Sequence, residues 1–338
     1  MTKVSITIPC RNEEKYIAKC LDSIVSANYP ADLLRVNVVD GMSDDQTRAI
    51  VASYSAKYPF IHLIENTARV TPIALNLGIK SGEADVYFIL GAHAEIYPDF
   101  ILNSVNAFKV DEAIGCAGGI IEQVNEDEVS EVIAIAMSSS FGVGNAYFRT
   151  GGKEGFVDTV AFGAYKNEVF DKVGYFDEDL VRNQDDEFNY RVIKGGFKIY
   201  LTQSIRSKYY VRGSYEKLYK QYFQYGYWKV FVNQKHGAVT SIRQLIPPLF
   251  VAGLIGGMFL SLFIPYFYFL YNTALLAYLF AAFAFAWKAA NGKMEMVLKV
   301  MFTFLILHFS YGLGYLKGVL NFVVLKKKPE KKHEALSR

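Results

Sequence analysis

The stretch Val4-Ser5-Ile6-Thr7-Ile8-Pro9-Cys10-Arg11-Asn12-Glu13-Glu14 decides the fold. Its first five residues alternate as a strand does. Pro9 ends a run far shorter than the apolar core of a signal peptide, so the catalytic part is expected to start at residue 1. A polar turn rich in acids follows at once. Beyond it, with Asn12 as the candidate cap, Tyr16/Ile17, Cys20/Leu21 and Ile24/Val25 recur at helical spacing. Val36-Asn37-Val38-Val39 then reads as a second strand ending in Asp40. Further along come a helix marked by Ile50, Val51 and Tyr54, a strand over 61–64, a helix over 72–80 and an apolar strand over 85–90. Strands interleaved with helices predict an α/β fold with a mostly parallel sheet and right-handed crossovers.

In such a sheet, ligands bind beyond the carboxyl ends of the strands. The residues there are Pro9 to Glu14 after the first strand and Asp40-Gly41-Met42-Ser43-Asp44-Asp45 after the second. Gly91-Ala92-His93-Ala94-Glu95 follows the fourth. Three polar turns thus converge on one edge. The first lacks G-x-G-x-x-G, so there is no glycine cradle for a dinucleotide, and a Rossmann dehydrogenase is excluded.

Composition narrows the class further. The chain has 338 residues, 52% of them hydrophobic and 20% charged, with a net charge of +3. Disorder is excluded by that apolar content. Six basic residues against two acidic ones lie in the tail from Lys326 to Arg338, leaving the rest of the chain slightly acidic; a general nucleic-acid binder is not expected. Cys10, Cys20 and Cys116 have neither an even count for pairing nor zinc-ligand spacing, which suits a reduced, cytosol-facing catalytic domain.

Residues 244–287 contain no Asp, Glu, Lys or Arg. That is about twice the ~20 residues one spanning helix needs. With a break at Pro265, spans are expected near 245–263 and 266–287, within a membrane module over 244–325 that ends in a basic tail, 326–338. A third membrane segment, 300–316, carries His308 centrally and glycines in and just after its C-terminal part. Gly312, Gly314 and Gly318 suit close helix packing or a re-entrant bend. Because five lysines follow residue 325, the positive-inside rule favours the re-entrant reading, with the tail on the cytosolic side.

The ordered motifs carry a resemblance. They are the stretch from Val4 to Glu13; Val38-Val39-Asp40-Gly41-Met42-Ser43-Asp44-Asp45-Gln46-Thr47; Ala74-Leu75-Asn76-Leu77-Gly78-Ile79; Gly163-Ala164-Tyr165; Gly174-Tyr175-Phe176-Asp177-Glu178; and Gln184-Asp185-Asp186-Glu187-Phe188-Asn189-Tyr190-Arg191. Together they resemble glycosyltransferase family 2, inverting nucleotide-sugar enzymes with a GT-A fold, over about the first 230 residues. The Gly91 turn and apolar C-terminus look most like the branch of the succinoglycan biosynthesis glucosyltransferases, which build on a lipid carrier. The resemblance implies a GT-A domain over 1–235 that takes a UDP-sugar, with Asp40 on the uracil, Glu13 on the ribose, Pro9 and Arg11 shaping the first turn, and Asp44 as a further nucleotide contact. A turn role for Asp40 and a helix-start role for Glu13 remain open from the residues themselves.

At the fourth turn the family carries Asp-x-Asp or Asp-Ala-His, whereas this chain has Gly91, Ala92 and His93. The resemblance gives His93 to a divalent metal, Mn²⁺ or Mg²⁺, with Glu95 as a substitute carboxylate. An imidazole suits Mn²⁺ better than Mg²⁺, and His93 could equally be a hydrogen-bonding turn residue. The family base aligns with Asp185, and adjacent Asp186 is its rival. Arg212 and Lys229 could hold a diphosphate. Tyr222, Tyr225 and Trp228 share a helical face suited either to a membrane interface or to ordinary core. The Gln-x-x-Arg-Trp motif of processive synthases is absent, which implies addition of a single sugar. The expected activity is transfer from a UDP-sugar to a polyprenyl-diphosphate-linked saccharide at the cytoplasmic membrane. The alternatives are transfer to a polyprenyl phosphate and a non-catalytic, nucleotide-binding membrane scaffold.

Overall fold

The computed structural model describes residues 2–211, 213–240 and 242–327. They form two compact units. The first comprises the described residues within 1–124 and 146–210, and the second those within 125–145 and 211–338.

In chain order the first unit begins β1 (Val4–Cys10), α1 (Ile17–Val25), β2 (Leu34–Asp40), α2 (Thr47–Lys57), β3 (Ile61–Glu65), α3 (Thr71–Lys80), β4 (Val86–Ile89), β5 (Ala94–Ile96), α4 (Phe100–Ala107) and β6 (Ile114–Val124). The second unit then contributes α5 (Glu128–Met137) and α6 (Ser140–Val143). The first resumes with α7 (Tyr147–Thr150), β7 (Gly155–Val157), β8 (Ala161–Lys166), α8 (Asn167–Val173), α9 (Gln184–Lys194) and β9 (Lys198–Tyr210). The second finishes with α10 (Tyr215–His236), α11 (Ile246–Ser261), α12 (Pro265–Ala289) and α13 (Met294–Gly318).

The strands make one sheet in the order β3-β2-β1-β4-β8-β6-β9-β5, with β7 also on β9. β1 to β4 pair in parallel, as the βα alternation requires; β8 then runs antiparallel to both β4 and β6, so the sheet as a whole is mixed. Val4, Ile6, Ile8, Val36 and Val38 sit fully buried at its centre, each stabilising the fold by about 1.5–3 kcal/mol. Gly78 explains part of the third motif. A Cβ there would stand 2.3 Å from the Thr7 side chain, so only glycine lets α3 lie this close to β1. Asn76, two residues earlier, brackets Phe176 by donating to its carbonyl (2.9 Å) and accepting from its N–H (3.0 Å).

In the second unit α10 and α13 run together. Cβ atoms on Gly226, Gly314 and Gly318 would fall 2.1 Å from Tyr311 O, 2.0 Å from Phe223 O and 2.7 Å from Tyr227 O. Backbone contacts that close are the small-residue packing the glycines allow. Buried hydrogen bonds reinforce the pair, from Asn233 Nδ2 to the Tyr315 hydroxyl (3.2 Å) and from Asn321 Nδ2 to the Tyr227 hydroxyl (3.0 Å). His308 lies between the Tyr278 hydroxyl (2.9 Å) and the Phe141 carbonyl (2.8 Å), joining α12, α13 and α6.

Several expectations change. Asn12 does not cap α1, which is preceded by Tyr16 at its cap position; Asn12 takes φ +55° and serves another purpose described below. The first unit closes at Tyr210 rather than near 235, because α10 packs on α13. α13 is unbroken through its glycines and continues as a π-helix, Val319–Val324, so they mediate packing and no bend. Trp228, at 1% exposure, is core. Among the described residues, three helices are long and apolar enough to cross a membrane, Ile242–Ser261, Pro265–Ala289 and Met294–Val324.

Candidate active site

The carboxyl ends of β1, β2 and β3 are in register, with Cys10 beside Asp40 and Asp40 beside Glu65. From that edge the first two turns close onto each other. Asn12 N–H donates to Ser43 Oγ (2.9 Å), and the Asp44 N–H donates back to Asn12 Oδ1 (3.1 Å). Glu13 N–H donates to Thr47 Oγ1 (2.8 Å), Glu14 N–H to Asp45 Oδ2 (3.2 Å), and Gln46 N–H to Glu14 Oε2 (2.9 Å). The positive φ of Asn12 and that of Met42 (+60°) belong to these turns. Burial works against the Asp45 charge, but bonds from the Thr47 side chain and backbone and from the Glu14 backbone outweigh it and hold Asp45 below the usual carboxylate range.

Asp40 is fully buried at the end of β2. Its carboxylate accepts from the Ser43 N–H (3.0 Å) and hydroxyl, with Arg48 Nη1 at 3.7 Å. Asp40 thus builds its own turn at the end of β2. Asp44 is exposed, Pro9 and Arg11 are partly exposed, and the Arg11 stem passes over Gly41, whose missing side chain leaves it room.

Glu13, 7% exposed, aims Oε1 at His93 Nδ1 across 3.3 Å. Three expected residues of the first and fourth turns, Glu13, Gly91 and His93, are therefore neighbours. The link is Cys20, whose thiol approaches the Gly91 carbonyl at 3.8 Å. Burial, then the charges of Glu13 and Glu95, push that thiol far up, so it stays protonated. Glu95 itself accepts from the Tyr210 hydroxyl and lies 3.6 Å from Lys208 Nζ. Ala92 is buried beneath the turn.

Two aromatic residues complete this end. Phe162 adopts φ +49°, an outlier for a bulky side chain. Its ring fills the space over Gly91, where an added Cβ would stand 3.2 Å from Phe162 Cε1. Tyr209 packs edge-on to His93, ring centres 5.0 Å apart, and 6.4 Å from Phe162. No motif marks Phe162, and Tyr209 stands out in the sequence only as the start of the aromatic, basic stretch Tyr209-Tyr210-Val211-Arg212; the fold brings the two together.

Asp185 and Asp186 open α9 after Asn183, which has φ +62°. Asp185 is exposed and accepts from the Asp186 N–H (2.9 Å). One turn on, Asn189 donates to Thr159 Oγ1 (2.9 Å), just ahead of β8 and Phe162, which sets the start of α9 toward the Gly91 end of the sheet. Glu187 and Arg191 form a two-bond ion pair (2.7 and 2.9 Å), and Arg191 also donates to the Tyr175 carbonyl (2.8 Å). These motif residues position the helix. Lys229 is buried in α10 of the second unit, and Arg212 lies outside the described residues.

A divalent metal at this edge would need several of these donors to converge. His93 Nδ1 faces Glu13, Glu95 is engaged by Tyr210 and Lys208, and no three His, Cys, Asp or Glu side chains converge among the described residues. This donor set does not make a metal centre by itself.

The turns, the mixed sheet and the α9 acids define a nucleotide-sugar-type α/β domain of GT-A fold. The family model for Glycosyl transferase family 2 matches residues 5–174, and the chain belongs to that family. It is 35% identical over 234 residues to the dolichyl N-acetyl-α-D-glucosaminyl phosphate 3-β-D-2,3-diacetamido-2,3-dideoxy-β-D-glucuronosyltransferase of Methanococcus voltae, covering 67% of this chain and 72% of the relative. With the succinoglycan biosynthesis protein ExoA of Rhizobium meliloti it shares 29% identity over 267 residues, 77% of this chain and 79% of the relative. A mannosyltransferase from Pyrobaculum calidifontis, solved with GDP-Man and Mn²⁺, has the same fold: TM-score 0.59, 22% identity, covering 94% of this chain and 87% of that one.

Proposed function

We propose that this chain is an inverting, membrane-anchored glycosyltransferase that moves one sugar from a UDP-sugar to a saccharide carried on a polyprenyl phosphate or diphosphate. The observation that carries the reading is the interlocked pair of turns that sets Glu13 beside His93 at the sheet edge. The Methanococcus voltae relative supports a lipid-carried acceptor by its dolichyl phosphate substrate name, and the Rhizobium meliloti relative supports glycan synthesis by its succinoglycan biosynthesis name.

Glu13 and Asp40 take the ribose and uracil. Arg11, Pro9 and Asp44 shape the nucleotide rim, with Gly91 and Ala92 leaving backbone room beside it. Asp185 accepts the proton as the acceptor O–H bond breaks. The freed oxygen then bonds to the anomeric carbon, and the bond from that carbon to the diphosphate oxygen breaks, its electron pair leaving with UDP. One displacement from the opposite face inverts the configuration. The apolar helices α11 and α12 hold the enzyme at the cytoplasmic membrane, with the catalytic unit in the cytosol where nucleotide sugars are made.

The deciding experiment supplies membranes containing the protein with a panel of UDP- and GDP-sugars. Each donor is paired with a polyprenyl-linked saccharide or with bare polyprenyl phosphate. Product on the saccharide from a UDP-sugar supports the reading. Transfer only to the bare phosphate, or only from GDP-sugars, overturns it. Nucleotide binding without any turnover reveals a scaffold instead.

A further inference from the structure

Arg149 sits in the short helix α7, outside every motif of the chain. Its guanidinium carbon lies 5.4 Å from the ring centre of Phe148 and 5.4 Å from that of Tyr209. Nη1 is buried and has no hydrogen-bond partner among the described residues. Other cations of this unit are committed to acids: Arg48 to Glu65, Lys208 to Glu95 and Arg191 to Glu187. Arg149 has no such acid among the described residues. A buried charged donor left without an acceptor is costly, and contact with ring faces engages its charge but leaves its N–H donors unmet.

The location gives the missing acceptor its identity. Tyr209, which Arg149 touches, is also the ring beside His93, and Phe162 next to it covers Gly91. The cation therefore stands at the turn where the usual family carboxylate is absent and the remaining donors do not make a metal centre. Guanidinium is suited to phosphate oxygens, which it binds through two parallel N–H donors.

We propose that Arg149 binds the diphosphate of the donor nucleotide, supplying fixed positive charge at a turn that has lost its metal-holding acid. This rests on the nucleotide-sugar reading above. Diphosphate chemistry also exists on a lipid-linked acceptor, so the test separates the two sources.

Purified full-length wild type, Arg149→Gln and Arg149→Lys are titrated with UDP and with uridine, each with saturating Mn²⁺ and with chelator. Arg149→Gln should weaken UDP binding about 10- to 100-fold, the range of one or two charge-assisted bonds, while uridine binding stays within two-fold. Arg149→Lys keeps the charge without the fork and should fall between. The deficit should persist at saturating Mn²⁺. Should Arg149→Gln fail to fold, Arg149→Lys against wild type carries the same comparison. Unchanged UDP affinity, or equal loss of uridine, overturns the assignment while leaving the nucleotide-sugar reading standing. A rise confined to the KM for the lipid-linked acceptor moves Arg149 to the acceptor phosphate and overturns the donor role. Wild type that binds neither UDP nor uridine overturns both readings.

Discussion

Glu13 Oε1 and His93 Nδ1 meet across 3.3 Å although the residues are 80 positions apart, joining the turn after β1 to the turn after β4. Paired groups in contact respond non-additively to mutation. Glu13→Gln, His93→Gln and the double variant should show a coupling of about 0.5–3 kcal/mol in UDP affinity by calorimetry. Additive losses would mean that the two side chains act separately.

Gly91 and Phe162 compete for one space. Gly91→Asp alone places a Cβ 3.2 Å from the Phe162 ring, so it should lower the thermal midpoint and fail to improve UDP binding. Combined with Phe162→Ala, the new carboxylate gains room, and UDP binding should then acquire a stronger dependence on Mn²⁺. A single Gly91→Asp variant that binds UDP more tightly than wild type contradicts this steric account.

Asp185→Asn should reduce transfer by a factor on the order of 10² or more, as expected for loss of a general base, with UDP affinity within a few-fold of wild type. The measurement is product formation at saturating donor. An inactive Asp186→Asn beside an active Asp185→Asn shifts the base by one residue.

Gly314 approaches the α10 backbone more closely than a side chain permits. Gly314→Val should therefore destabilise the second unit by about 1–3 kcal/mol or more, read as a lower midpoint in detergent. Gly253, whose added Cβ would meet nothing within 4 Å, serves as the control, and Gly253→Ala should be nearly silent.

The unbroken α13 is long enough to cross a membrane, yet its C-terminal part is packed against α10, which carries Lys217, Lys220, Lys229 and Lys235. A helix so charged is expensive to place in hydrocarbon. A reporter fused after Arg338 should accordingly report the cytosolic side, with α11 and α12 as the spanning pair. Activity only on the far side would require three spans.

Much of the first unit was legible because its core is regular: Ile6, Ile8, Val36 and Val38 alternate as buried strands must, and the acids follow each run. The break before Pro265 was equally plain, since proline opens α12. Asn12 misled because a polar residue before a helical pattern looks like a cap, while here its left-handed backbone ties two turns together. Phe162 and Arg149 left no mark in the sequence, and Tyr209 showed only as part of an aromatic, basic stretch. Their roles arise from strand pairing between distant segments, and an aromatic or a lone arginine has no period or spacing that announces it. The glycines of α13 suited either close packing or a re-entrant bend, and the charge pattern favoured the bend; their packing partner, α10, looked like the end of the catalytic domain because its lysines hide a buried face.

The second unit takes residues 125–145 from the middle of the first, so the backbone passes between the units three times. Neither unit is severable. A chain stopped after Tyr210 would retain α5 and α6 while discarding α13, against which both pack, and would expose the apolar surface that α13 covers. A soluble fragment of this enzyme cannot be made by shortening alone; it would need the excursion from Asn125 to Asn145 spliced out and its ends rejoined. Evolution faces the same constraint, because such a chain inherits its membrane-type unit and its catalytic unit as one piece and cannot exchange either by simple fusion.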